Sequence, residues 1–231
     1  MTTTAEVKRM VQPLLARHDD LALVGRLVVV KPVRHIIRGV FVDREGSRFG
    51  FRPIWAVNLM FEYDAHFSFN FGEWLYPKTK GVWWDIERPG VGAELCAQVE
   101  EIALPQLRQI DTLEDFFFCY GYDEGIFEMR KIVIDAACGN FESADRASAK
   151  IFRLPISEPY MRTYREDYAR LTTQLCPLVA VRDRAGIAAL LHGWEADAVK
   201  KQKLTHLWEP SPFPVEIPGG DLRPRSLSLR A

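Results

Sequence analysis

Three side chains able to ligate a metal stand at alternate positions: Glu62, Asp64 and His66. Residues two apart share a face of an extended strand, and two carboxylates with one imidazole make a donor set for a divalent ion. The polar run Glu62-Tyr63-Asp64-Ala65-His66 is equally what an exposed hairpin tip requires. The tip is the expectation and the metal set its alternative; no cofactor is expected. His18, His35, His192 and His206 show no pairing at i+3 or i+4 that would build a site, and no H-E-x-x-H occurs. Nucleophilic chemistry has no G-x-S-x-G elbow to work from. Gly90-Val91-Gly92 precedes a helix pattern, but the third glycine and the Lys-Ser/Thr of a phosphate loop are missing. Glu94 would compete with any anion there. No catalytic constellation is complete.

The densest unusual feature is aromatic. Trp55, Phe61, Phe67, Phe69, Phe71, Trp74, Tyr76, Trp83 and Trp84 fall within thirty residues. The odd-numbered phenylalanines are explained by a sheet core, whereas Trp74, Tyr76, Trp83 and Trp84 lie in a connector. Adjacent tryptophans in extended chain point opposite ways, so one of Trp83 and Trp84 is expected to be exposed or to roof a pocket. Two roles follow: a hydrophobic lid closing the sheet against helices, or a surface for a ligand or partner, with Arg52 its nearest cationic candidate. A pocket under Trp74–Trp84 would draw on Arg52, Glu62, Asp85 or His66.

The chain has 231 residues, with Lys+Arg 30 against Asp+Glu 31 and a formal charge of -1. That balance argues against a general nucleic-acid binder, which carries a basic excess. Hydrophobic residues are 48% and charged residues 26%, the ordinary mixture of a globular protein. No apolar run approaches the roughly 18 residues of a membrane span, and the first residues lack the basic and apolar regions of a secretory signal. A cytoplasmic location is therefore expected. Cys96, Cys119, Cys138 and Cys176 form no C-x-x-C pair, and the expectation is four reduced, buried thiols.

These side chains need elements to position them. Val7, Met10, Val11, Leu14 and Leu15 make one apolar stripe, which predicts a helix over Ala5 to His18 capped by Thr4, with Pro13 as a possible bend. Arg26 to Lys31 and His35 to Asp43 read as strands. From Phe49 to Phe71 the odd positions are almost all apolar, while the even ones include Arg52, Asn58, Glu62, Asp64, His66 and Asn70. That alternation predicts strands with one buried face, folded as a hairpin about the polar tip. If odd residues on both arms face one core, the loop must hold an odd number of residues, and Phe61 pairs with Phe67. Gly72 to Gly92 is the connector. Helices are expected over Glu94 to Gln109, from Thr112, over Asp123 to Cys138, Phe141 to Phe152, Glu158 to Leu175 and Asp183 to Leu204, with Asp183 as a cap. Pro210 to Ala231 is a Pro-rich extended tail.

The stretch Ala136-Ala137-Cys138-Gly139-Asn140-Phe141-Glu142-Ser143-Ala144 resembles the turn between the two helices of a tetratricopeptide repeat. Thirty-four residues later, Thr173-Gln174-Leu175 carries no matching glycine, so a simple helix hairpin is the expectation.

The fold predicted is α+β: an N-terminal helix and an antiparallel meander of about four strands against a layer of about five helices. Residues 1–92 hold the sheet and connector, 93–209 the helices packed on it as one body, and 210–231 the tail. The function expected is a non-enzymatic protein-interaction module, with Trp74, Tyr76, Trp83, Trp84 and Arg52 as binding residues. Self-association through the connector and tail is included. The alternative is a small-ligand protein or enzyme with its pocket under the connector.

Overall fold

The computed structural model describes residues 2–46, 48–62, 71–79, 81–120, 128–153 and 165–220. They form two compact units. The first comprises Met1–Leu59, Phe67–Leu113 and Lys203–Glu209; the second comprises Met60–His66, Glu114–Gln202 and Pro210–Ala231. The architecture is α+β, with an N-terminal helix, a six-stranded antiparallel sheet and then a series of helices.

In the first unit, helix α1 (Thr4–Arg17) starts one residue earlier than expected. Its cap is Thr3, whose Oγ1 accepts from the Glu6 N–H at 3.2 Å, while the Glu6 carboxylate accepts from the Thr3 N–H at 2.7 Å. This reciprocal pair satisfies two amides that the helix itself cannot. Val7, Met10, Val11 and Leu14 are buried, and the helix continues through Pro13.

Strands β1 (Leu21–Val24), β2 (Leu27–Val30), β3 (Ile36–Arg44), β4 (Gly50–Leu59) and β5 (Phe71–Trp74) follow as a meander. A sixth strand, β6 (Trp84–Asp85), pairs with β4. The expected connector thus holds two strands. Val57 pairs with Phe71 and Ile54 with Trp74. This register matches odd residue to odd residue, and it is the register that a Phe61–Phe67 pair implies. Residues 63–70, with Phe67, Asp64 and His66, lie outside the described residues.

One expectation fails on β4. Its odd side (Phe51, Pro53, Trp55, Val57, Leu59) is buried, but so are Gly50, Ile54, Ala56 and Asn58 on the even side. Ile54 and Ala56 are the reason: the even positions are apolar in the middle of the strand and polar towards its ends. Of the β4 residues only Arg52 is partly exposed.

Helix α2 (Val91–Gln98), a π-helical turn (Val99–Ala103) and α3 (Leu104–Arg108) run on from β6. Pro105 follows closely on the π-helical turn, and the backbone stays helical through Ala103 and Leu104. The Cys96 thiol of α2 donates to the Met10 carbonyl of α1 at 3.3 Å. Arg38 of β3 donates to the carbonyl of Ile110, just past α3, at 2.8 Å.

The second unit is helical: α4 (Leu113–Tyr120, entering from the first unit), α5 (Glu128–Ala137), α6 (Phe141–Ile151), α7 (Arg165–Arg170), α8 (Cys176–Ala180) and α9 (Arg184–Lys201). A π-helical turn, Leu171–Leu175, joins α7 to α8. Asp183 caps α9 through the Gly186 N–H at 2.9 Å. Gly139 at φ 74 makes the left-handed turn between α5 and α6, a hairpin as expected. Residues 121–127 and 154–164, which carry parts of two expected helices, lie outside the described residues.

Residues 210–220 do not trail away as an extended tail. They turn through a 3-10 segment, Pro214–Glu216, and bury Phe213 and Val215 completely. The Phe213 ring meets Phe61 edge-on at 5.0 Å and His192 at 4.7 Å. The remainder, 221–231, lies outside the described residues.

Candidate binding surface

Strands β5 and β6 lie end to end along one edge of β4, running in the same direction. Continuing the β5 register would bring residue 77 opposite Phe51, yet Trp84 stands there, seven residues on. The edge strand is therefore interrupted by an insertion, residues 75–83, whose described residues (75–79 and 81–83) loop out where β4 carries Arg52 and Pro53. Arg52 marks the break.

Trp74, just before the insertion, and Trp83, its last residue, meet that arginine. The Arg52 guanidinium carbon is 3.3 Å from the Trp74 ring centroid and 5.0 Å from that of Trp83. The planar guanidinium stacks on aromatic faces without giving up its charge. Its Nε is buried with no hydrogen-bond partner among the described residues, so the rings supply what polar contacts do not.

Trp84 points the other way. It is 1% exposed, tilts against Phe51 at 5.8 Å and donates from Nε1 to the Leu75 carbonyl at 2.7 Å. Trp83 beside it is 44% exposed. This is the opposition that extended chain imposes on neighbours. One tryptophan closes the core; the other faces water.

The backbone of the insertion is tied down three times. Leu75 is held by Trp84, the Tyr76 carbonyl accepts from Gln98 Nε2 at 2.7 Å, and the Lys78 N–H donates to Glu94 at 2.7 Å. Arg88 stands 2.7 Å from the same carboxylate. The Lys78 N–H and then Arg88 hold Glu94 below the usual carboxylate range, keeping it charged as an anchor. From this anchored loop Tyr76 (51% exposed), Val82 (49%) and Trp83 project into solvent. Large apolar groups held outward on a fixed backbone lose little freedom on contact.

No protein-family model matches this chain, and neither curated proteins nor solved structures give a match. The site must be read from its own chemistry.

The remaining candidates are placed as follows. Glu62 forms a buried pair with Arg130: Nη2 donates to Oε2 at 2.8 Å, and Nε lies 2.7 Å from Oε1. The carboxylate that the metal reading required is thus engaged by a guanidinium within the second unit. Asp64 and His66 are outside the described residues, and no metal-competent cluster occurs among those described. Asp85 is exposed and accepts from the Glu87 N–H at 2.9 Å. Cys96, Cys138 and Cys176 are buried, but Cys119 is exposed, which departs from the expected burial of all four. Burial pushes the Cys96 and Cys176 thiols up, away from the reactive thiolate. No helix among the described residues is long and apolar enough to cross a membrane.

Two features were not foreseen. A groove of about 450 Å³ runs between α1 and α2, lined by Arg9, Pro13 and Arg17 of α1 and by Gly90, Ala93, Ala97 and Glu100 beside α2. His192 bridges Glu216 at 2.8 Å and Glu195 at 3.7 Å, although Glu195 at i+3 was a spacing signal open to reading. This trio straps the 3-10 turn to α9, and the Phe213 N–H donates to the same Glu216 at 2.6 Å.

Proposed function

We propose that the chain is a non-enzymatic protein-interaction module whose contact surface is the insertion of residues 75–83, seated on Arg52. The observation that carries this reading is the pairing of exposure with anchorage. Tyr76, Val82 and Trp83 are about half exposed, while the backbone beneath them is fixed at Leu75, Tyr76 and Lys78. Trp and Tyr are enriched among the residues that dominate binding energy at interfaces, and a pre-anchored loop reduces the ordering cost of association. Trp84 is packed into the core, whereas Trp83 keeps only its contact with Arg52 on one side and stays 44% exposed.

The test is a paired comparison on the full chain. Tyr76→Ala/Trp83→Ala should leave urea stability within about 1 kcal/mol of wild type and abolish recovery of a stoichiometric partner from native lysate. Retained recovery by the double variant would overturn the assignment.

A second reading, small-ligand binding, is favoured by the α1–α2 groove, which sets Arg9 beside the apolar Met10 and Cys96, with Arg17 already paired to Glu100 at 2.8 Å. The groove takes in Ile86 and Gly90 from the end of the connector but none of Trp74, Tyr76, Trp83 and Trp84. A metabolite whose thermal stabilisation is lost in Arg9→Ala would support it.

A further inference from the structure

We propose that Asp135 is a pH-sensing group that loosens the α5–α6 hairpin as the pH rises towards neutrality and tightens it on acidification. Asp135 lies on α5 inside the run Ile132-Val133-Ile134-Asp135-Ala136-Ala137-Cys138, all of it fully buried. Its side chain is 0% exposed, and neither carboxylate oxygen makes a hydrogen bond of good geometry among the described residues. Lys131, one turn back, stands 3.7 Å from Oδ2, beyond hydrogen-bond reach.

A carboxylate enclosed this way is costly as an anion and cheap as an acid. Burial raises its pKa from 3.8 to about 7, against smaller opposing pulls from Ser143, Asn140 and Arg146. The charged groups acting on it are Lys131 on its own helix and Arg146 on α6. Of the other segments packed against α5, the turn Leu171–Leu175 carries no ionisable side chain. Glu195 of α9 and Glu216 of the 3-10 turn are both drawn to His192.

The position gives the titration leverage. The Asp135 carbonyl accepts from the Asn140 N–H at 2.8 Å, and the Asn140 carbonyl accepts from Ser143 and Ala144 at 3.1 and 3.0 Å. The residue that titrates also closes the turn. Because its pKa in the folded chain is raised, unfolded chain releases this proton first as the pH rises from about 4, and the opening constant climbs until the folded group ionises near 7. Above that the penalty is constant. From this group alone, opening should be about tenfold more favourable at pH 8 than at pH 6.

The experiment combines carbon-detected NMR titration of the Asp135 Cγ with hydrogen exchange of the Asn140, Ser143 and Ala144 amides, corrected for intrinsic rates, on the full chain. The expected results are a midpoint near 7 and about a tenfold loss of protection from pH 6 to 8, with that loss absent in Asp135→Asn. A midpoint near 4, protection that does not change, or the same loss in Asp135→Asn would each overturn the proposal. The Cγ titration is read on the native sequence and stands even where the variant does not fold.

Discussion

The guanidinium of Arg52 lies 3.3 Å from the centre of the Trp74 indole, across the point where the edge strand of the sheet breaks. Trp83, at the far end of the break, shares the same cation at 5.0 Å. One charged side chain on β4, the neighbour of the broken edge strand, thereby contacts a tryptophan at each end of the inserted loop.

Arg52→Met keeps the length of the side chain and removes the charge. Loss of two partly desolvated stacking contacts should cost about 1–2 kcal/mol in urea unfolding, and the emission of Trp83 should shift to the red as its ring loses a partner. Unchanged stability would show that the stack is incidental.

Glu94 links the loop to pH. Its pKa is lowered by the Lys78 N–H and Arg88, so its anchoring contribution is complete above the usual 4.5 and is lost as the pH falls through the lower folded value. Partner binding should therefore survive mild acid and fail only as the pH falls through that lowered value. Glu94→Gln, which has no carboxylate to titrate, should weaken the anchor at all pH values, measured by exchange of the Lys78 amide.

How much of this was legible in the sequence depends on the length of the pattern. Helix α1 and the strands β3 and β4 repeat their signal over nine or more residues, and all three lie close to where periodicity placed them. Strand β6, two residues long, is too short for alternation to register and read as connector, as did the part of β5 after Phe71. The buried even side of β4 was visible in Ile54 and Ala56, but Arg52, Asn58 and Glu62 outweighed them in the reading. The opposite fates of Trp83 and Trp84 follow from neighbour geometry alone. That Arg52 meets Trp74 and Trp83 depends on the seven-residue slip in register, which no local spacing reveals. Asp135 had a signal that went unused: a single charge in the middle of an apolar helix run.

The register around Gly72 is checked by one methyl group. A Cβ at Gly72 would collide with the Trp55 carbonyl oxygen and come within 2.6 Å of the Ala56 Cα, both backbone atoms that cannot step aside. Gly72→Ala should cost about 3 kcal/mol or detach β5, whereas Gly46→Ala, with nothing within 4 Å, should change stability by less than about 0.5 kcal/mol.

Glu62 and Arg130 give a test of the second unit. Both are nearly fully buried, so Arg130→Met should cost about 3–5 kcal/mol by leaving an uncompensated carboxylate. Arg130→Met combined with Glu62→Leu should recover most of the loss in a double-mutant cycle.

Phe213 tests whether the segment after α9 is structural. Its ring is fully buried against Phe61 and His192, so Phe213→Ala should cost about 3–5 kcal/mol, read by urea unfolding. A neutral substitution would return residues 210–220 to the role of a free arm.

The central claim is that the partner touches the insertion. A photo-reactive amino acid placed at Trp83 on the full chain, irradiated in native lysate, should yield one dominant cross-linked protein. The same group at Val181, exposed to 73% but in the second unit, serves as the control and should yield none of it. Equal cross-linking of that protein from both positions, or no defined product from Trp83, would contradict the account.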